Sequence, residues 1–241
     1  MAVNTSNAFI GTPPIDGGVF FRAPLGTPLP EEANEPLHDS FEDHGAVGAD
    51  GFNVSPERSS TDINMFGGDV FASAQESYVE NFTITLLEDD REAVSKTVFG
   101  DANVEVSPAT ETEGKKTRIL HTSDPLPMSS FVLKAVSGPK TKDYVIERGQ
   151  ITTVAEVTTV HNNVTQYQLT GRAFKGSNAD AKYANVIELR DDGTPVFGEG
   201  EGVEGAAVQT ASVQDASVPV DGTVQAPDEA PVNVQDNSET E

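Results

Sequence analysis

The stretch Ser77-Tyr-Val-Glu-Asn-Phe-Thr-Ile-Thr-Leu-Leu87 decides the fold class. Tyr78, Phe82, Ile84 and Leu86 fall on one side of an extended chain, and Asn81, Thr83 and Thr85 on the other. That period of two marks a strand with one face buried and one wetted. Similar text follows: Val104 to Val106, Thr117 to Thr122, Ser130 to Val136, Asp143 to Arg148, Ile151 to Val160 and Val164 to Phe174, with Tyr183 to Arg190 as a shorter candidate. His161-Asn-Asn163 between two of these suits a hairpin turn. One helix is expected over about 91–99, capped by Asp89 or Asp90. Its Ala93, Val94, Thr97 and Val98 lie at helical spacing, and Gly100 supplies the stop. Many short strands with one helix predict a mainly β protein, an antiparallel sandwich or barrel-like fold.

Outside this region the composition shifts. Residues 1–16 are polar with Pro13-Pro14 and read as an N-terminal arm, and 17–192 as the β domain. Within that domain, 23–60 is rich in turn formers, with Leu37, Phe41, Val47, Phe52 and Val54 as apolar anchors. So long a loop points to ordering by a neighbouring molecule. Residues 193–241 form an acidic, low-complexity extension that buries too little to offset its ordering entropy, and disorder is expected there.

The charge sets limits on function. The chain of 241 residues carries a formal charge of −24, and from Asp191 onward it has 12 acids and no base. The remainder is still at −12, which argues against gripping a nucleic-acid backbone. Without cysteine there is no disulfide framework. No secretory signal is expected from Met1-Ala-Val-Asn-Thr-Ser6, and no run approaches the ~18 apolar residues of a membrane span. The sequons at Asn4, Asn53, Asn81 and Asn163 read as chance matches.

Motifs for chemistry are weak. Gly200-Glu-Gly-Val-Glu-Gly205 has dinucleotide-loop spacing, but its glutamates and its lack of a strand–turn–helix setting make it a linker. His38 and His44 sit among acids in Leu37 to His44, in a loop with no register to converge them on a metal. No nucleophile elbow, P-loop or His-Glu-x-x-His pattern occurs, so no enzyme activity, metal or cofactor is expected. Lys115, Lys116, Arg118, Lys134, Lys140 and Lys142 are the main basic concentrations. They are expected to pair with acids of neighbouring subunits.

Three pieces in order carry a resemblance: Gly18-Val-Phe-Phe-Arg-Ala-Pro-Leu-Gly-Thr-Pro-Leu-Pro30, Gly48-Ala-Asp-Gly-Phe52 and Met65-Phe-Gly-Gly-Asp69. Together they resemble the major tail tube proteins of bacteriophages with long non-contractile tails, especially those of actinobacterial hosts. The likeness spans about residues 8–190, with Phe66 where relatives carry a tryptophan. It implies a β-sandwich subunit in hexameric rings that stack into a tube, their inner sheets joined in one barrel around the channel for DNA. It also implies a place in the virion tail, assembly in the host cytoplasm, and tape measure, tail terminator and distal tail proteins as partners. The DNA would pass without sequence-specific binding, and no membrane is involved. Candidate channel-facing residues are Asn81, Thr83, Thr85, Thr152, Glu156, Thr158, Gln166, Gln168 and Thr170; alternation alone does not decide which strands line a channel. Candidate assembly residues are Pro24, Leu25, Leu29, Phe41, Phe52 and Phe66. The alternative reading is a non-enzymatic virion decoration or receptor-contacting β-sandwich, which needs an exposed apolar patch.

Overall fold

The computed structural model describes residues 3–15, 18–157, 159–162 and 164–194. The protein is mainly antiparallel β with one α-helix among the described residues. The strands are β1 (Phe20–Pro24), β2 (Glu42–Asp43), β3 (Val47–Asn64), β4 (Val70–Leu86), β5 (Val104–Ser107), β6 (Lys116–Ile119), β7 (Ser129–Ser137), β8 (Lys140–Val154), β9 (Tyr167–Phe174) and β10 (Ile187–Asp191), and the helix is α1 (Glu92–Phe99). Eight strands form one sheet, ordered β2-β1-β7-β8-β9-β4-β3 with β10 on β8, while β5 and β6 pair separately. On the flank away from β7, β8 pairs first with β10 through Thr141–Val145 and then with β9 through Arg148–Val154.

Alternation sets the buried face. Phe82, Ile84 and Leu86 of β4 point inward beside Tyr167, Leu169 and Ala173 of β9. The Phe82 and Phe131 rings lie 5.2 Å apart although β9 and β8 separate their strands in the ladder. Phe20 of β1 lies 5.5 Å from Phe131. The sheet therefore curls until its own inner face meets itself, and Val94 and Val98 of α1 plug the opening. Gly171 makes the curl possible, since a Cβ there would sit 2.1 Å from the Phe82 ring.

A second, smaller cluster occupies the other face of β1, β7, β8 and β10. Ala23, Phe41, Val132 and Val145 form it, with Phe21, Leu29, Leu37, Ile187 and Leu189 packed around them. The loop between β1 and β2 is thus folded onto its own chain. Beneath it the Asp143 carboxylate, fully buried, accepts from the Asn34 amide at 3.0 Å and pairs with Lys134 at 3.3 Å; Lys134 also donates to the Glu35 carbonyl.

Three expectations change. Strand β3 begins at Val47, inside the stretch read as loop over 23–60, because its backbone pairs with β4 where its side chains show no sustained apolar alternation. The loop that remains packs on its own chain through Leu29, Leu37 and Phe41. The helix has Arg91 at its N-cap with no side-chain cap bond, in place of Asp89 or Asp90. Strands β8 and β9 stop at Val154 and start at Tyr167, so 155–166 is a longer link than the turn expected at His161 to Asn163, of which Asn163 lies outside the described residues.

Candidate assembly surfaces

Cross-strand register assembles a wetted wall on the outer face of the sheet. Asn53, Thr83, Thr170 and Thr153 run side by side across β3, β4, β9 and β8. The neighbouring rows are Ser55, Asn81 and Arg172, and Thr85 with Gln168. Directly opposed residues share a face, so these side chains form one band. Its hydroxyls and amides both donate and accept hydrogen bonds, and Arg172 is the one charged member of these rows.

Asn81, Thr83, Thr85, Gln168 and Thr170 are the candidates that the structure brings together. Thr152 adjoins them: β8 has a bulge between Ile151 and Thr153, Thr153 opposes Thr170, and the exposed Thr152 hydroxyl donates to the Thr170 carbonyl at 3.1 Å. A bulge places an extra residue outside the alternation. Glu156 and Gln166 lie exposed in the link beyond the ladder, and Thr158 is outside the described residues. Asn53, Ser55, Thr153 and Arg172 were not among the candidate wall residues read from the sequence, although Phe52 and Val54 alternate with the first two and carried the signal.

The hairpin of β3 and β4 supplies the second surface. Every residue from Pro56 to Ser77 is exposed, so the ribbon is wet on both sides. From Glu57 to Asn64 it extends roughly 23 Å at a strand's rise per residue. Arg58 stacks over Tyr78 at 4.5 Å and Ser77 donates to Ser59 at 3.2 Å. From Ser59 onward one face carries only Ser59, Ser77, Thr61, Ala74, Ile63 and Ala72. The turn closes through Gly67 and Gly68, at φ of 113° and 101°, which β-carbon-bearing residues rarely adopt. At this tip Ile63, Met65, Phe66, Val70 and Phe71 are all exposed, Phe66 completely.

At the opposite end of β3, Asp43 and residues 45–52 border a groove of about 830 Å³. Gly11, Gly45, Gly48 and Ala49 make it shallow-sided, and Phe9, Phe52 and Tyr144 give it apolar walls. The N-terminal arm closes one flank. It is held by backbone bonds between Thr12 and Val136 at 2.8 and 2.9 Å, and by Lys140, which donates to the Ser6 carbonyl.

The six assembly candidates separate into two groups. Phe41 is buried, Leu29 packs on the second cluster, and Phe52 lies edge-on to Tyr144 at 5.5 Å. Pro24, Leu25 and Phe66 are exposed. The two histidines do not converge: His38 accepts from the Ser40 amide, while His44 is buried against Thr97. Each of the basic residues reaches a partner in its own chain. Lys115 meets Glu92, Lys116 meets Glu113, Arg118 meets Glu105, Lys134 meets Asp143 and Lys142 meets Glu188, while Lys140 serves the arm. Sequence spacing hid these partners because most come from another element.

No family model and no curated protein matches this sequence. Among solved structures, a chain from one described as "Virion of native gene transfer agent (GTA) particle" aligns with 12% identity over 56% of this chain and 85% of that chain. Its TM-score of 0.32 is too low to establish a common fold. The surfaces therefore have to be read from their own geometry.

Proposed function

We propose that the protein is a structural subunit of a phage virion whose copies polymerise, through stacked hexameric rings, into the tube of a non-contractile tail. The observation that carries this reading is the ribbon from Pro56 to Ser77. An isolated two-stranded ribbon is marginal in water, and this one ends in a cluster of uncovered apolar side chains. Such an element gains stability when another surface covers it.

A second copy fits the requirement. The tip and the groove lie at opposite ends of β3, about 40 Å apart along a strand from Phe52 to Asn64, so the tip does not reach its own groove. Seating it in the groove of the next molecule makes a head-to-tail contact, the type that builds rings and open stacks. The hydroxyl and amide band on β3, β4, β9 and β8 then suits the channel wall, holding water while offering DNA little to grip. The ring number of six rests on the family resemblance.

Negative-stain microscopy of the concentrated full-length protein tests this: hollow tubes or rings are expected. The paired variant Phe66→Ser and Phe71→Ser should abolish them with folding intact. Dispersed monomers at high concentration would sink the polymer reading and leave a virion binding module, for which the same apolar tip would be the contact patch.

A further inference from the structure

The buried polar cluster between β1, β2 and α1 lies behind one wall of the groove, and the inference it carries does not rest on the assembly reading. His44 is fully buried. Its Nδ1 lies 2.9 Å from the Glu42 carbonyl and its Nε2 2.7 Å from Thr97 Oγ1. A carbonyl only accepts, so Nδ1 carries the ring proton and Nε2 accepts from the Thr97 hydroxyl. Phe20 packs edge-on to the ring at 4.9 Å.

The charged groups around the ring come from every element packed on it. Arg22 of β1 reaches Thr97 Oγ1 at 3.5 Å and is tied to Asp101 through two bonds of 2.9 and 2.6 Å. From β2, Asp43 pairs with Arg91 at 2.9 Å, and Glu42 is exposed. From α1, Lys96 pairs with Glu92 at 2.8 Å. None of these carboxylates hydrogen-bonds either ring nitrogen, and burial, with Arg22 acting in the same direction, lowers the His44 pKa to about 4.

His44 also sits in the middle of a strap. Its own amide donates to the Phe20 carbonyl at 3.0 Å, Ala46 donates to Glu88 at 2.7 Å, and Leu87 donates to the Ala46 carbonyl at 3.0 Å. Residues 42–46 are thereby suspended between β1, α1 and the end of β4, and lead directly into β3.

We propose that His44 is an acid-sensitive latch, whose second ring proton places an uncompensated charge in the buried contact with Thr97 and frees residues 42–46 from α1. The proton turns Nε2 from acceptor into donor, so the Thr97 hydroxyl must rotate and accept from it on the same oxygen that already faces the Arg22 guanidinium. It also places a second cation beside the Arg22 guanidinium in a site shielded from water. An opened imidazole takes its proton near pH 6.5, well above the closed one. The closed strap is therefore at full stability above pH 6.5 and weakens as pH falls towards 4, with the open population rising on the order of a hundredfold over that window.

Hydrogen exchange of the full-length protein at pH 7.5 and pH 4.5, corrected for intrinsic rates, reads the strap directly. Peptides covering 42–46 should lose protection in acid while those covering 82–86 and 131–133 keep theirs. His44→Gln, which bonds to Thr97 without titrating and retains every carboxylate, should hold the strap closed at both values. Equal wild-type protection at both pH values, or the same loss in His44→Gln, overturns the latch. If that variant does not fold, the NMR titration of the wild-type His44 imidazole decides: a pKa below about 5 supports the latch, and one near 6.5 removes it.

Discussion

At the residue scale, Gly171 is where the curled sheet is most sensitive. Replacing it with alanine forces a Cβ into the Phe82 ring, and overpacking of this kind costs about 1–3 kcal/mol. Thermal melting should show the loss, and adding Phe82→Leu should recover part of it; a melting temperature unchanged by Gly171→Ala would mean the ring moves freely. Asp143 is the second sensitive point. It is fully buried, its Oδ1 has no hydrogen-bond partner among the described residues, and its other oxygen depends on Lys134 and the Asn34 amide. Lys134→Met strands that charge, and losing one partner of a buried pair costs about 3–5 kcal/mol. A denaturant midpoint close to wild type would show that the Asn34 contact suffices. The exposed pairs behave differently. Lys116→Ala breaks a contact with Glu113 in which both side chains are mostly solvated, and its effect on stability should stay below about 1 kcal/mol.

At the element scale the β3–β4 hairpin separates folding from association. Its outer half contributes nothing to either apolar cluster, so Phe66→Ser with Phe71→Ser should move the stability of the monomer by no more than about 0.5 kcal/mol. The same variant should lose the tubes. A drop in monomer stability matching a core mutation would instead place the tip against its own chain. Cysteines at Phe66 and Ala49 test the proposed seating of the tip: disulfide-linked ladders of two or more chains are expected under oxidation, and a purely intramolecular product would contradict it. The hairpin also marks the limit of pattern reading. Phe82, Ile84 and Leu86 announce their strand because one side is buried, whereas Ser59, Ser60 and Thr61 announce nothing because both sides meet water. The bulge that sets Thr153, beside Thr152, opposite Thr170 is hidden for a related reason, since it leaves no trace in composition.

At the scale of the whole molecule, charge is the dominant property. The 12 acids from Asp191 onward carry half of the net −24, and copies packed into one tube would bring many such segments together. We propose that they keep subunits soluble and discourage tubes from bundling. Truncation after Thr194 should leave tube formation intact while lowering the solubility limit of the free subunit. Loss of rings on truncation would assign the segment a place in the assembly. Bundling of wild-type tubes should also rise with salt, because screening shortens the reach of the repulsion to about 8 Å at physiological ionic strength.

Composition and period-two alternation were enough to establish a mainly β, antiparallel, strongly acidic chain with one short helix, since burying one face of a strand forces that alternation. They also listed most of the polar wall. Which strands adjoin, and hence that Asn53, Thr83, Thr170 and Thr153 form one row, was decided by the ladder. So was the fate of Leu29 and Phe41, whose apolar character is the same whether they cover their own sheet or a neighbour's. The histidine in Glu42-Asp43-His44 looked like part of a solvated acidic loop, and only the packing of β1 and α1 around it made it a buried, neutral imidazole. Local pattern records whether a residue seeks water; the partner it finds depends on contacts distant in the chain.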